Sequence, residues 1–137
     1  MKIIICGSMT AAKRMVEIEA GLKELGHEVI LPRFALEYAQ MSSMEEMHSE
    51  SVKNKMDHDL IRDYFEEIKQ GDAVLIINDE RKDIANYIGG NSFLEMAFAH
   101  VLHKEVFLLN PIPEMGYSDE LIAMQPVILN GDLTLIK

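Results

Sequence analysis

Apolar positions along this chain fall into short unbroken runs and stripes at helical spacing, and the two alternate. Residues 2 to 6, Lys-Ile-Ile-Ile-Cys, form an apolar run closed by Gly7, the pattern of a strand buried on both faces. From Ala11 to Leu25 the residues Met15, Ile18, Leu22 and Leu25 recur at helical spacing, and Gly26 follows as a stop signal. His27 to Leu31 reads as a second strand closed by Pro32, so strand, helix and strand make a parallel unit with a right-handed crossover. A second stripe, Leu60, Ile61, Tyr64, Phe65 and Ile68, runs through Asp57 to Gln70 and stops at Gly71. Asp72 to Asn78 is a third buried strand, Ser92 to His103 a third helix, and Glu105 to Asn110 a fourth strand halted by Pro111 and Pro113. A short helix near Asp119 to Met124 and a weak strand at Leu133 to Ile136 end the pattern. Residues 33 to 57 show no clean period and read as a partly helical excursion, of the kind that serves as a lid or a subunit contact.

This alternation predicts one α/β domain over residues 1–137, a parallel sheet of four or five strands in the order 2-1-3-4 with helices on both faces. Ligands of such sheets bind beyond the carboxyl ends of the strands, at the switch point between strands 1 and 3. Three unusual loops arrive there: Cys6-Gly7-Ser8-Met9-Thr10, Asn78-Asp79, and the turn from Gly89 to Glu95.

Composition narrows the partners. Thirteen Lys and Arg against 23 Asp and Glu leave a net charge of −10, which repels a polyanion, so nucleic acid is excluded. A small phosphorylated ligand stays open, because backbone amides of a glycine loop bind phosphate without net positive charge. No apolar run approaches the roughly 20 residues that span a bilayer, and the opening run is too short for a signal peptide, so a cytoplasmic protein without membrane contact is expected. The lone Cys6 agrees with a reducing compartment. His27, His48, His58, His100 and His103 lack metal-ligand spacing, and neither a metal nor a cofactor is called for. Ten Met residues, among them Met44, Met47 and Met96, read first as core filling.

The most informative stretch is Ile88-Gly89-Gly90-Asn91-Ser92-Phe93-Leu94-Glu95, where two glycines and a hydroxyl lead into a helix with a carboxylate expected in its first turn. Glycines admit an anion close to backbone N–H groups at the positive end of the helix dipole. Glu95 could then attack a sugar at its anomeric carbon. Equally, Ser92 could be an N-cap and Glu95 its capping-box partner. Gly7-Ser8-Met9-Thr10 offers a similar choice between a phosphate dock and a simple helix cap. It matches neither G-x-x-x-x-G-K-[ST] nor G-x-G-x-x-G. A second acid for the leaving base would come from Asp59, Asp63 or Tyr64; Asp63 and Tyr64 point about 100° apart on a helix, and Tyr64 also fits core packing. Asp72 begins its strand at the wrong edge of the sheet.

Taken in order, Cys6-Gly7-Ser8, Gly71-Asp72-Ala73-Val74, the glycine turn running into Glu95 with Ala97 beyond it, and Lys104-Glu105-Val106 resemble the nucleoside 2-deoxyribosyltransferase superfamily, including its 2'-deoxynucleoside 5'-phosphate N-hydrolase branch. The resemblance implies a flavodoxin-like fold, a homodimer or larger assembly, and Glu95 as the carboxylate attacking C1'. It also implies Ser8 at the 5'-phosphate or sugar with Ser92 beside it. The substrate site would comprise Cys6, Gly7, Ser8, Met9, Asn78, Gly89, Gly90, Asn91 and Ser92, with Asp63 or Tyr64 assisting the base. The chain departs from the pattern at three places. Tyr64 stands where the family has a helical aspartate, Met9-Thr10-Ala11 replace an arginine and glycines, and Gly89 replaces the transferases' aspartate. The turn is also similar to that of cytokinin-activating phosphoribohydrolases, with Asn91-Ser92 in place of Gly-Thr. Both resemblances imply cleavage or transfer at an N-glycosidic bond of a nucleoside or nucleotide. A module that senses a nucleotide without cleaving it is the alternative of a different class.

Overall fold

The computed structural model describes residues 1–40 and 59–137. Five strands, β1 (Lys2–Gly7), β2 (Glu28–Ile30), β3 (Ala73–Ile77), β4 (Glu105–Leu108) and β5 (Val127–Ile128), form one sheet in the order β2-β1-β3-β4-β5. All four pairings are parallel. The described helices are α1 (Ala12–Glu24), the one-turn α2 (Ala35–Tyr38), α3 (Leu60–Gln70), α4 (Gly90–Val101) and α5 (Ser118–Ala123). The expected excursion thus holds α2 at its start; the rest of it, with Met44, Met47 and His48, lies outside the described residues, as do Asp57 and His58.

Alternation along each strand sorts the core into two layers. Ile3, Ile5, Ala73, Leu75, Ile77 and Phe107 pack with Met15, Ile18 and Leu22 of α1 and Ala35 of α2. Ile4, Cys6, Val74, Ile76, Val106 and Leu108 pack on the opposite face with Ile68 of α3, Met96 and Ala99 of α4 and Leu121 of α5. Helices on both faces of a parallel sheet make the three-layer, flavodoxin-like or Rossmann-like α/β arrangement that the alternation predicts.

Helix ends follow local chemistry. Gly26 at φ +91° closes α1 with the paired bonds His27 N–H to Leu22 O (3.1 Å) and Gly26 N–H to Lys23 O (3.0 Å), a closure that requires a left-handed residue. Leu25, expected on the buried stripe, is the cap of that helix and is 45% exposed.

Two expectations are corrected. The fifth strand is Val127–Ile128, and Leu133–Leu135 form a 3-10 turn, because Asp132 Oδ1 accepts from the Thr134 N–H (3.0 Å) and hydroxyl (2.6 Å) and curls the chain there. The third helix begins at Gly90 rather than Ser92, with Gly89 as its cap.

Candidate functional site

A cavity of about 830 Å³ opens at the carboxyl ends of β1, β2 and β3. Its walls come from Gly7–Thr10 after β1, Ile30–Phe34 after β2, α3, the loop after β3 and the start of α4. The strand order puts the β2 and β3 loops on opposite sides of β1, so the cavity sits astride the switch point.

Glu95 lies on this wall, half-buried. Because α4 starts at Gly90, Ser92 is the third residue inside the helix and buried, and Glu95 falls in the second turn. The capping-box alternative is therefore excluded, and so is the expectation of a carboxylate in the first turn, since a residue already helical cannot serve as N-cap. Among the described residues no side chain caps α4 at Gly89, and a Cβ at Gly90 would meet nothing within 4 Å, so the first turn of the helix opens on the cavity uncapped. Gly89, Gly90, Asn91 and Ser92 all line it. Tyr117 braces this end, stacking on Phe93 with centroids 4.4 Å apart and donating its hydroxyl to the Ile88 carbonyl.

The Glu95 charge reaches the end of β1. Burial pushes the Cys6 thiol and the Tyr64 phenol well up, and Glu95 adds to both rises; at Tyr64 it follows burial and Cys6 in size. Tyr64 donates its hydroxyl to the Ile5 carbonyl and packs against the α3–α4 core. A phenol so engaged, and pushed upward, is a poor proton donor to a leaving base. Asp63 lines the cavity with its carboxylate 3.6 Å from Arg33, whereas Asp59 is turned to Arg62 at 2.9 Å and does not line it. Asp72 accepts the Lys2 N–H at 2.7 Å, at the opposite end of the sheet.

Two expected substrate contacts are placed elsewhere. Cys6 is fully buried among the α3–α4 core residues and does not line the cavity, because its position on β1 faces the helices. Its thiol stays protonated near neutral pH, so the native chain should resist iodoacetamide at pH 8 and react once unfolded. Alkylation of the native chain at the rate of a free thiol would contradict this placement. Asn78 is fully buried as well. Its Nδ2 donates to the carbonyls of Asn110 (2.9 Å) and Pro111 (3.0 Å), and its Oδ1 accepts the Asn110 N–H at 2.8 Å. The amide thereby ties the end of β3 to the end of β4 and has no reach toward the cavity.

Gly7, Ser8 and Met9 do line the cavity, and the three amides that follow them are bound within the turn. Thr10 N–H goes to Ser8 Oγ (3.3 Å), Ala11 N–H to Ser8 O (2.9 Å), and the Ala12 N–H to Met9 O. What faces the space is a pair of hydroxyls, Ser8 Oγ and Thr10 Oγ1, 2.9 Å apart. Arg81, which the pattern of motifs did not single out, reaches Ser8 Oγ with its Nη1 at 2.9 Å. It occupies the loop that opens after Asn78-Asp79 at the switch point, and that placement was its only sequence signal. Among the described residues there is no cluster of His, Cys, Asp and Glu able to hold a metal, and no helix is long and apolar enough to cross a membrane.

Fold and cavity together define a three-layer α/β protein with a cavity at its topological switch point. Neither a family model nor a curated protein sequence matches the chain. Among solved structures it is similar to the CMP N-glycosidase BcmB of Clostridium botulinum, with a TM-score of 0.52 and 15% identity over 93% of this chain and 85% of that one. At that identity the likeness concerns the fold.

Proposed function

We propose that this protein cleaves the N-glycosidic bond of a nucleoside or nucleoside 5'-monophosphate, with Glu95 as the nucleophile. The observation that carries the proposal is a half-buried carboxylate on the wall of a nucleotide-sized cavity at the switch point, beside the uncapped first turn of α4. The likeness in fold to the solved structure of a CMP N-glycosidase adds support.

In the first step a Glu95 oxygen bonds to C1' of the pentose as the C1'–N bond breaks, and the base leaves with the electron pair and takes up a proton. In the second, water attacks C1' of the glycosyl ester and restores the carboxylate, giving the free pentose or its 5-phosphate. A second base in place of water gives transfer instead. Asp63 is the better-exposed acid for the departing base, and Asp63→Asn should lower kcat about a hundredfold. Unchanged kcat in that variant would remove Asp63 from the mechanism. An assembly of two or more copies belongs to the same proposal.

The test is chromatographic. Ribo- and deoxyribonucleosides and their 5'-monophosphates are incubated with the protein, alone and with free bases, and released or exchanged base is measured. Release from at least one of them is expected. A panel left intact, with a nucleotide still raising the melting temperature, would favour the sensing module.

A further inference from the structure

We propose that Arg81 is the residue that selects a phosphorylated substrate, forming with the Ser8 hydroxyl the seat of a phosphomonoester, so that the substrate class is a nucleoside 5'-monophosphate rather than a free nucleoside. The proposal deepens the glycosidase reading and rests on it for the identity of the ligand, while the anion site itself stands on separate observations.

The first is an unspent cation. Two arginines line the cavity, and Arg33 has its guanidinium 3.6 Å from Asp63. Arg81 pairs with no carboxylate among the described residues of a chain that carries a net charge of −10. Its Nη1 meets Ser8 Oγ at 2.9 Å, and its Nε is buried with no hydrogen-bond partner. Burying a guanidinium donor without an acceptor is costly, so this side chain is held at Ser8 at some expense. A tetrahedral oxyanion beside Ser8 would be met by the Nη end of the guanidinium, which already reaches the cavity wall at the Ser8 hydroxyl and whose planar fork suits such a group.

The second is how firmly the side chain is aimed. Arg81 N–H donates to Ile84 O (3.1 Å) and Ile84 N–H returns to Arg81 O (2.9 Å), around Lys82 at φ 54° and Asp83 at φ 61°. Two successive left-handed non-glycine residues are an uncommon and costly turn. The guanidinium also lies 5.8 Å from the centre of the Tyr87 ring, which borders the same cavity. Third, the amides of Thr10, Ala11 and Ala12 are committed within the first loop, and Arg81 adds a cationic donor directly beside the Ser8 hydroxyl.

The experiment pairs binding with kinetics on the whole chain. Inorganic phosphate is titrated into wild type, Arg81→Met and Arg81→Lys by calorimetry, with melting temperatures verifying that each variant folds. Arg81→Met, which keeps an apolar stem on Tyr87, is expected to weaken phosphate binding about 10- to 100-fold, and Arg81→Lys to recover part of the loss. In base release, the preference for monophosphate over nucleoside in kcat/KM should fall by a similar factor in Arg81→Met, through KM rather than kcat. Phosphate binding unchanged in a folded Arg81→Met overturns the proposal, and so does a wild type that cleaves nucleosides as well as monophosphates. The second result would leave the glycosidase reading intact. Conversely, Arg81-dependent phosphate binding by a protein that releases no base would keep the anion seat and overturn the glycosidase.

Discussion

Glu95→Gln is expected to lower kcat for base release by roughly three or more powers of ten while changing the Kd for nucleotide less than a few-fold. Glutamine keeps the shape of the side chain on the second turn of α4 and removes the negative charge and the nucleophilic oxygen together. Because Glu95 is half-buried, the substitution should leave the fold in place, and a nucleotide should still raise the melting temperature of the variant. Single-turnover chromatography measures the first quantity and calorimetry the second. Loss of binding in parallel with turnover would mean that Glu95 holds the substrate rather than attacks it. The removal of its charge should also ease the upward push on the Cys6 thiol and the Tyr64 phenol, to which Glu95 contributes.

The largest effect on stability is expected at Asn78. Asn78→Ala should destabilise the protein by about 2–4 kcal/mol in urea unfolding, because truncating a buried amide strands its partners as well as losing their bonds. Here the partners are the Asn110 and Pro111 carbonyls and the Asn110 N–H. Asn110 Nδ2 returns to the Asn78 carbonyl at 3.0 Å and to Asp79 Oδ1 at 3.1 Å, so the two asparagines lock the carboxyl ends of β3 and β4 as a unit. Arg81 lies three residues beyond Asn78, and the lock therefore also fixes where its loop departs. A loss below about 1 kcal/mol would show that water replaces the amide readily, contrary to its complete burial.

Much of the architecture was legible in the chain because the parallel strands are buried on both faces. Ile3-Ile4-Ile5 and Ala73 to Ile77 can be nothing but strands sandwiched by helices, and Gly26 and Gly71 mark where those helices must stop. The far edge was harder. Val127–Ile128 is too short to carry a period, and the apolar Leu133–Ile136 looks more like a strand until Asp132 is seen to curl it. At the site, the glycine turn and Glu95 were visible as a motif, but the start of α4 depended on a backbone cap at Gly89 that no side chain announces. Asn78 looked like a binding residue because polar groups at strand ends often are, and only the tertiary pairing with Asn110, 32 residues away, shows its amide already spent. Arg81 was silent for the complementary reason. Its partner Ser8 is 73 residues distant, and the turn that aims it has two non-glycine residues where glycine is the usual mark.

A bond between Glu95 and C1' of a nucleotide's pentose would be seen directly by mass spectrometry of the protein quenched during a single turnover. Wild type mixed with a cleaved nucleoside 5'-monophosphate should carry a pentose 5-phosphate on the peptide containing Glu95, appearing with the released base, and Glu95→Gln should show neither adduct nor base. Base released by Glu95→Gln at the wild-type rate would contradict the account.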